Sequence, residues 1–254
     1  MPTDKVQRQR FELKYVIPDD VAVNIRDFLQ AYLTLDEYGA TQPDLSYPVH
    51  SLYLDSEDLR LYRSTINGDK NRYKMRLRFY ERGDTAPIYF EIKRRSNCAI
   101  SKLRGKVLRE SVEPLLAGQM PVMDDLADPT PEGLAAVQTF FRRLNELNAS
   151  PKAHVAYRRE AWVTDHDNSL RITFDRDVRS EPQYDLGLST RLDEPVYAFG
   201  HNIIFEIKFT DRIPRWVQDM VQAFGLRQRS AGKYVDGIAN TPRDRINAWH
   251  AIYI

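Results

Sequence analysis

Tyr73-Lys74-Met75-Arg76-Leu77-Arg78-Phe79-Tyr80 alternates cationic and apolar side chains with period two, the pattern of a β-strand with one buried face. Met75, Leu77 and Phe79 form that face, and Lys74, Arg76 and Arg78 form the other, all of one sign. Neighbouring cations on one strand face stand about 6.5–7 Å apart. At an effective dielectric near 20 each such pair costs roughly 2.4 kcal/mol. In open solvent the pattern is cheap and means little. Facing a cavity, it demands acidic partners or an anionic ligand.

The same alternation recurs along the chain. Arg8 to Ile17 sets Phe11, Leu13 and Tyr15 against Arg10, Glu12 and Lys14. Ile88 to Arg94 sets Ile88, Phe90 and Ile92 against Tyr89, Glu91 and Lys93, and the polar turn Glu81 to Ala86 makes it a hairpin partner of the opening strand. Pro151 to Val163 places Val155, Tyr157, Arg159 and Ala161 on one face. Leu170 to Asp175 does the same with Arg171, Thr173 and Asp175, after a turn at Asp165 to Asn168. Ile203 to Phe209 carries Glu206 and Lys208 opposite Phe205 and Ile207. His50 to Leu54 reads as a short buried strand.

Helices are expected after Pro18, across Val112 to Leu116, Pro131 to Leu147 and Pro214 to Phe224, and from Pro242 to the end. Arg94 to Lys106 reads as a basic loop, and Pro43 to Pro48 as another loop.

Composition narrows the class. The 254 residues are 42% hydrophobic and 29% charged, so a folded core is affordable and disorder is excluded. A formal net charge of +1 argues against a nucleic-acid coat and makes any anion site a matter of local charge sorting. Cys98 is the one cysteine, which excludes a disulfide framework and a thiolate metal cluster. His50, His154, His166, His201 and His250 lack ligand spacing. No apolar run reaches the length of a membrane span. The polar N-terminus speaks against a secretory signal, so the expectation is a single cytoplasmic domain over residues 1–254.

Pooled over the strands, the polar faces hold Arg10, Lys14, Lys74, Arg76, Arg78, Lys93, Arg159, Arg171 and Lys208 against Glu12, Glu91, Glu206 and Asp175, nine cations to four acids in a nearly balanced chain. Closing the sheet would gather them in a polar interior, with amphipathic helices over the apolar outside. Arginine offers a planar fork for phosphate and lysine a mobile point charge. Carboxylates among them are tolerable if they hold Mg²⁺ or Mn²⁺, which uses one or two carboxylates plus the substrate's phosphate oxygens. Glu206, Glu91 and Glu12 are the candidates for that metal, although Glu12 and Glu91 read equally as partners that orient lysines.

Arg10-Phe11-Glu12-Leu13-Lys14-Tyr15, Tyr53-Leu54-Asp55, Lys74-Met75-Arg76-Leu77-Arg78, Phe90-Glu91-Ile92-Lys93, Tyr157-Arg158-Arg159, Ile172-Thr173-Phe174-Asp175, Phe205-Glu206-Ile207-Lys208 and Lys233-Tyr234 follow one another in this order. The ordered set resembles the vacuolar transporter chaperone (VTC) domain, the polyphosphate polymerase branch of the CYTH-like triphosphate tunnel metalloenzymes. The resemblance runs from Arg10 to Gly237. It implies an α+β fold, an antiparallel eight-stranded β-barrel with flanking helices. It also implies transfer of the γ-phosphate of ATP onto inorganic polyphosphate, with a divalent metal.

By matching position, Lys14, Arg76, Arg78, Lys93, Arg159, Arg171 and Lys233 would bind phosphates and Glu206 the metal. Arg76, Arg78 and Arg171 are the expected clamp on the transferred group, with Arg10, Lys74 and Lys208 as further substrate contacts. Gly232 stands where the family has a serine before the lysine. The phosphate-sensing and transmembrane domains of the eukaryotic complex are expected to be absent. Two other functions fit the same residues: a tunnel triphosphatase or nucleoside triphosphatase, and a non-catalytic polyphosphate binder.

Overall fold

A computed structural model describes residues 10–81, 83, 85–97, 99–165 and 169–246. The side chain of Arg10, the residues Arg8, Cys98, His166 and Asn168, and the stretch from 247 onward lie outside what is described. Ten strands form one sheet among the described residues. They are β1 (Arg10–Ile17), β2 (Thr34–Leu35), β3 (Tyr47–Asp55), β4 (Asn71–Phe79), β5 (Ile88–Ser96), β6 (Ala99–Val107), β7 (Ser150–Val163), β8 (Leu170–Pro182), β9 (Val196–Tyr197) and β10 (Ile203–Thr210). Eight follow the order β1-β10-β8-β7-β3-β4-β5-β6, every pair antiparallel, and the two-residue β2 and β9 add to β7 and β8.

Eight antiparallel strands are as expected, but among the described residues no ladder joins the ends of the path. Strand β1 runs close to β6 and reaches β5 through Glu12, whose carboxylate lies 2.6 Å from Lys93 Nζ. The barrel is therefore curled nearly shut rather than zipped. Segments outside the strands partly cover its two edges: the Arg229 N–H donates to the Lys14 carbonyl, and the Ala127 N–H donates to the Lys106 carbonyl.

Period-two alternation puts the apolar faces outside, where helices cover them. α1 (Asp19–Leu29) starts after Pro18 with Asp19 and Asp20 in its first turn, acids placed at the positive end of the helix dipole. It packs Ile25 and Leu29 with Phe174, Phe205 and Ile207, beside Met220 of α5 (Arg215–Ala223). α4 (Pro131–Leu147) is capped by Thr130, whose hydroxyl accepts from the Gly133 N–H at 3.1 Å. Its Val137, Phe140 and Phe141 lie on Met75, Leu77, Phe90 and Ile92. The short helices α2 (Arg60–Ile66) and α3 (Val112–Leu116) and the later α6 (Lys233–Asn240) complete the cover.

Three expectations need correction. Arg94 to Lys106 is not a loop: it is the end of β5, a turn at Asn97 (φ 53°) and most of β6. A helix that was not expected runs over Lys233–Asn240, Arg243–Arg245 is a single 3₁₀ turn, and the rest of the helix expected from Pro242 lies outside the described residues. The strands at His50 and Leu170 run longer than expected, as Tyr47–Asp55 and Leu170–Pro182.

Gly105 shows how tightly α4 sits. A Cβ there would collide with Val137 Cγ2 and come 3.0 Å from the Gly133 carbonyl oxygen. Gly105→Ala should cost about 1–3 kcal/mol through this overpacking and lower the melting temperature by roughly 3–10 °C. A calorimetric scan that superimposes on the wild type would refute the fit.

Candidate functional site

The inward positions on neighbouring strands form two ionic hubs. The first centres on Glu91, buried in mid-β5. Arg76 approaches it with Nε at 2.8 Å and Nη2 at 2.6 Å, Lys102 Nζ at 3.0 Å, Arg104 Nε at 3.1 Å and Arg78 Nε at 3.9 Å. Register explains the convergence, since Arg76 faces Glu91 on β4–β5 and Glu91 faces Arg104 on β5–β6. Two phenols orient the arginines: Arg76 Nη1 donates to Tyr53 OH and Arg78 Nη2 to Tyr157 OH, both at 3.0 Å.

The second hub centres on Glu206. Lys208 Nζ lies at 2.6 Å, Lys14 Nζ at 3.0 Å, Lys233 Nζ at 3.1 Å and Arg159 Nη2 at 4.0 Å. Asp175 takes both 2.7 Å bonds of the Arg159 fork and Lys233 at 2.6 Å. Lys233 arrives from the first residue of α6, not from a strand. The next residue anchors that helix, Tyr234 OH donating to Asp55 Oδ2 at 2.8 Å. Glu12 joins the hub through Lys93, with Lys14 at 3.6 Å and Lys208 at 3.8 Å. Arg171 lies to one side, held by Asp36 at 2.6 Å and Tyr47 OH at 3.3 Å.

Charge in the interior is strongly coupled. Burial pushes Glu12 and Asp175 upward, but the cations around them prevail and hold each at about 2. Glu91 and Glu206 are likewise held well below the carboxylate range against their burial, by Arg76 and Arg78 and by Lys14 and Lys208. Glu12, Asp175, Glu91 and Glu206 are therefore ionised, yet the cations around them outnumber these four acids. Burial, then repulsion from Lys14 and Lys93, drives the Lys74 amine down to about 7. Burial lowers Lys93 and Lys102 to about 8 despite Glu12 and Glu91. Lys74, Lys93, Lys14 and Arg72 line a cavity of about 530 Å³ in which Glu12 is the one acidic lining residue.

A test follows from Lys74. Loss of its proton removes a positive charge, so anion affinity should fall as pH rises through about 7 in the free protein. A bound polyanion would raise that value and draw a proton back. Calorimetry of inorganic tripolyphosphate binding near pH 8, in two buffers of unequal ionisation enthalpy, should show net proton uptake that shrinks in Lys74→Met. Equal uptake in both proteins would contradict the assignment.

The expected site residues thus come together, with exceptions. Glu91 stands apart from Glu12 and Glu206, and among the described residues no three acidic, histidine or cysteine side chains converge on one point. Glu12 and Glu206, which share Lys14 and Lys208, remain as a pair. Two ionised carboxylates fit a divalent ion that brings phosphate oxygens with it, and do not make a cage for a bare ion. Sequence reasoning places Lys102 and Arg104 in a basic loop rather than at the site, and gives no role to Tyr53, Tyr157 or Asp36. The alternation Lys102-Leu103-Arg104-Gly105-Lys106-Val107 was the available signal for the first two.

Comparison with known proteins adds a family. No curated protein sequence matches the chain. The crystal structure of a candidate adenylate cyclase from Bacillus halodurans is similar over 89% of this chain and 94% of its own, at a TM-score of 0.49 and 12% identity. The family model of the VTC domain matches residues 9–241, a span that contains both ionic hubs, and the chain belongs to that family.

Proposed function

We propose that the protein is a polyphosphate polymerase that moves the γ-phosphate of ATP onto inorganic polyphosphate inside the curled sheet. The observation that carries this reading is the uncompensated positive charge of the interior. Cations from most of the strands and from α6 face inward, and Lys74 is driven toward neutrality by burial and then by the cations beside it. Such charge is unfavourable without an anion, and a linear chain of phosphates supplies charge along the whole length. A compact anion would satisfy one hub only.

The reaction needs no covalent intermediate on the protein. The terminal oxygen of the acceptor chain attacks the γ-phosphorus in line, the bond to the β-phosphate oxygen breaks, and ADP leaves. Arg76 and Arg78, pre-oriented by Glu91 and the two tyrosines, form one wall of the phosphate track. Lys93 continues that wall, Lys14, Arg159, Lys208 and Lys233 form the opposite one, and Arg171 closes on the transferred group. Glu206 with Glu12 would hold Mn²⁺ or Mg²⁺, which neutralises charge on the phosphates when bound. Glu91 acts as a positioning residue for the arginines. One domain contains all these parts. No helix among the described residues is long and apolar enough to cross a membrane, and dependence on ATP suits a cytoplasmic enzyme.

The deciding assay is incubation with ATP and Mn²⁺ or Mg²⁺, with products resolved by gel. Long-chain polyphosphate and ADP are expected. Free phosphate alone would mean a triphosphatase, and no turnover with tight polyphosphate binding would mean a binder.

A further inference from the structure

The two ends of the tunnel differ in chemistry. On the β4–β5 ladder, Arg72 pairs with Arg95 at one end and Arg78 with Tyr89 at the other. The six residue steps from Arg72 to Arg78 span about 20 Å. At the Arg72 end, Arg94, Arg95 and Arg229 surround the cavity, and its one aromatic lining residue is Tyr73. The other end carries a rim of tyrosines.

Tyr80 and Tyr89 meet edge to face with centroids 5.8 Å apart, Tyr47 lies 6.4 Å from Tyr80, and Tyr38 packs edge-on against Tyr47 at 5.7 Å. The Arg104 guanidinium sits over the Tyr89 ring at 3.8 Å. Tyr89 shares the strand face of Glu91 and Lys93 and so points inward, and Tyr80, the first residue past β4, sits within electrostatic reach of Arg78, Arg104 and Glu91 on the same side. Both are only half-buried.

A phosphate chain has no use for ring faces, and the other inward positions of β4 and β5 carry charge. A nucleobase has a use for them: every base presents a π-face that stacks on an aromatic side chain, whatever the base. An arginine stacked on one of the rings adds a cation–π contact.

We propose that the tyrosine rim, chiefly Tyr80 and Tyr89, binds the nucleobase of the donor nucleotide, so that ATP lies with its base at this mouth and its phosphates directed toward Lys74. The assignment rests on the reading of ATP as donor. It also gives the tunnel a direction, the polyphosphate chain occupying the arginine-lined mouth. The rim is what separates a nucleoside triphosphate from inorganic triphosphate, since both bear the same phosphates.

The test compares binding of a non-hydrolysable ATP analogue with that of inorganic tripolyphosphate. Tyr80→Ala and Tyr89→Ala should each weaken the analogue roughly tenfold, about 1.4 kcal/mol, and leave tripolyphosphate within about twofold, which also shows the variants to be folded. Tyr80→Phe and Tyr89→Phe should restore most of the loss, because stacking needs the ring and not the hydroxyl. Photolabelling with 8-azido-ATP should mark residues beside Tyr80 and Tyr89. Unchanged analogue binding, equal loss of both ligands, or a photoadduct beside Arg94 and Arg229 would each overturn the rim. If the wild type bound neither ligand, the phosphate-transfer reading would fall first and the rim with it.

Discussion

Replacing Arg78 by alanine is expected to lower ATP-driven phosphoryl transfer by about 10²–10³-fold while leaving the fold intact. The side chain is buried, and its Nη2 donates to Tyr157 OH at 3.0 Å. Its Nε–H has no hydrogen-bond partner, and the nearest Glu91 oxygen is 3.9 Å away. A buried charged donor left unmatched costs at least about 1–3 kcal/mol, so the free protein loses little when the group is deleted. With a phosphoryl group in place the same donor gains a charged acceptor in a water-poor setting, where such bonds are strongest. Arg78→Lys should recover only part of the rate, because an ammonium lacks the planar fork. Initial rates of polyphosphate formation, read beside thermal melts, make the comparison. Near-normal turnover in both Arg78→Ala and Arg76→Ala would remove the arginine pair from the chemistry.

Glu206→Gln should behave in the opposite manner, costing stability as well as activity. Its carboxylate balances Lys14, Lys208 and Lys233 at 2.6–3.1 Å. Removing one partner of a buried ionic network typically costs about 3–5 kcal/mol. The pH dependence has a definite sign. Glu206 is held well below its ordinary range in the folded state, so its contribution is complete above an unfolded value of about 4.3. That contribution fades as pH falls toward the folded value. The melting difference between variant and wild type should be largest near neutral pH and shrink under acid. Polyphosphate, which supplies negative charge, should bind the variant at least as well and restore part of the lost stability. Transfer lost with binding kept excludes a non-catalytic binder, and a fully active Glu206→Gln would exclude Glu206 as metal holder.

Most of the strands could be read from the chain because each buries one face and bares the other, so hydrophobicity itself carries period two. β6 escaped that reading for a physical reason. It is an edge strand, mostly solvent-exposed as far as Arg104, with Leu103 exposed and only Gly105 and Val107 tucked beneath α4. Without a buried stripe, its cations looked like a loop. The ion-pair partners were harder still. That Glu91 answers to four cations and Glu206 to another set depends on how the sheet curls, which no local pattern encodes. Lys233 was placed by resemblance rather than by periodicity, because it sits at a helix start whose geometry comes from Tyr234 reaching Asp55. Glu91 lies apart from the other two metal candidates, Glu12 and Glu206, for the same cause: similar strands, different circumference.

A sheet that curls without zipping keeps two rims of backbone, the kind of surface on which chains stack into aggregates. Along β6 that rim bears Lys102, Arg104 and Lys106, and one copy presenting this row to another meets like charge. The protein's colloidal behaviour is thereby tied to the side chains that line its interior: whatever saturates them with negative charge also lowers the barrier that keeps molecules apart.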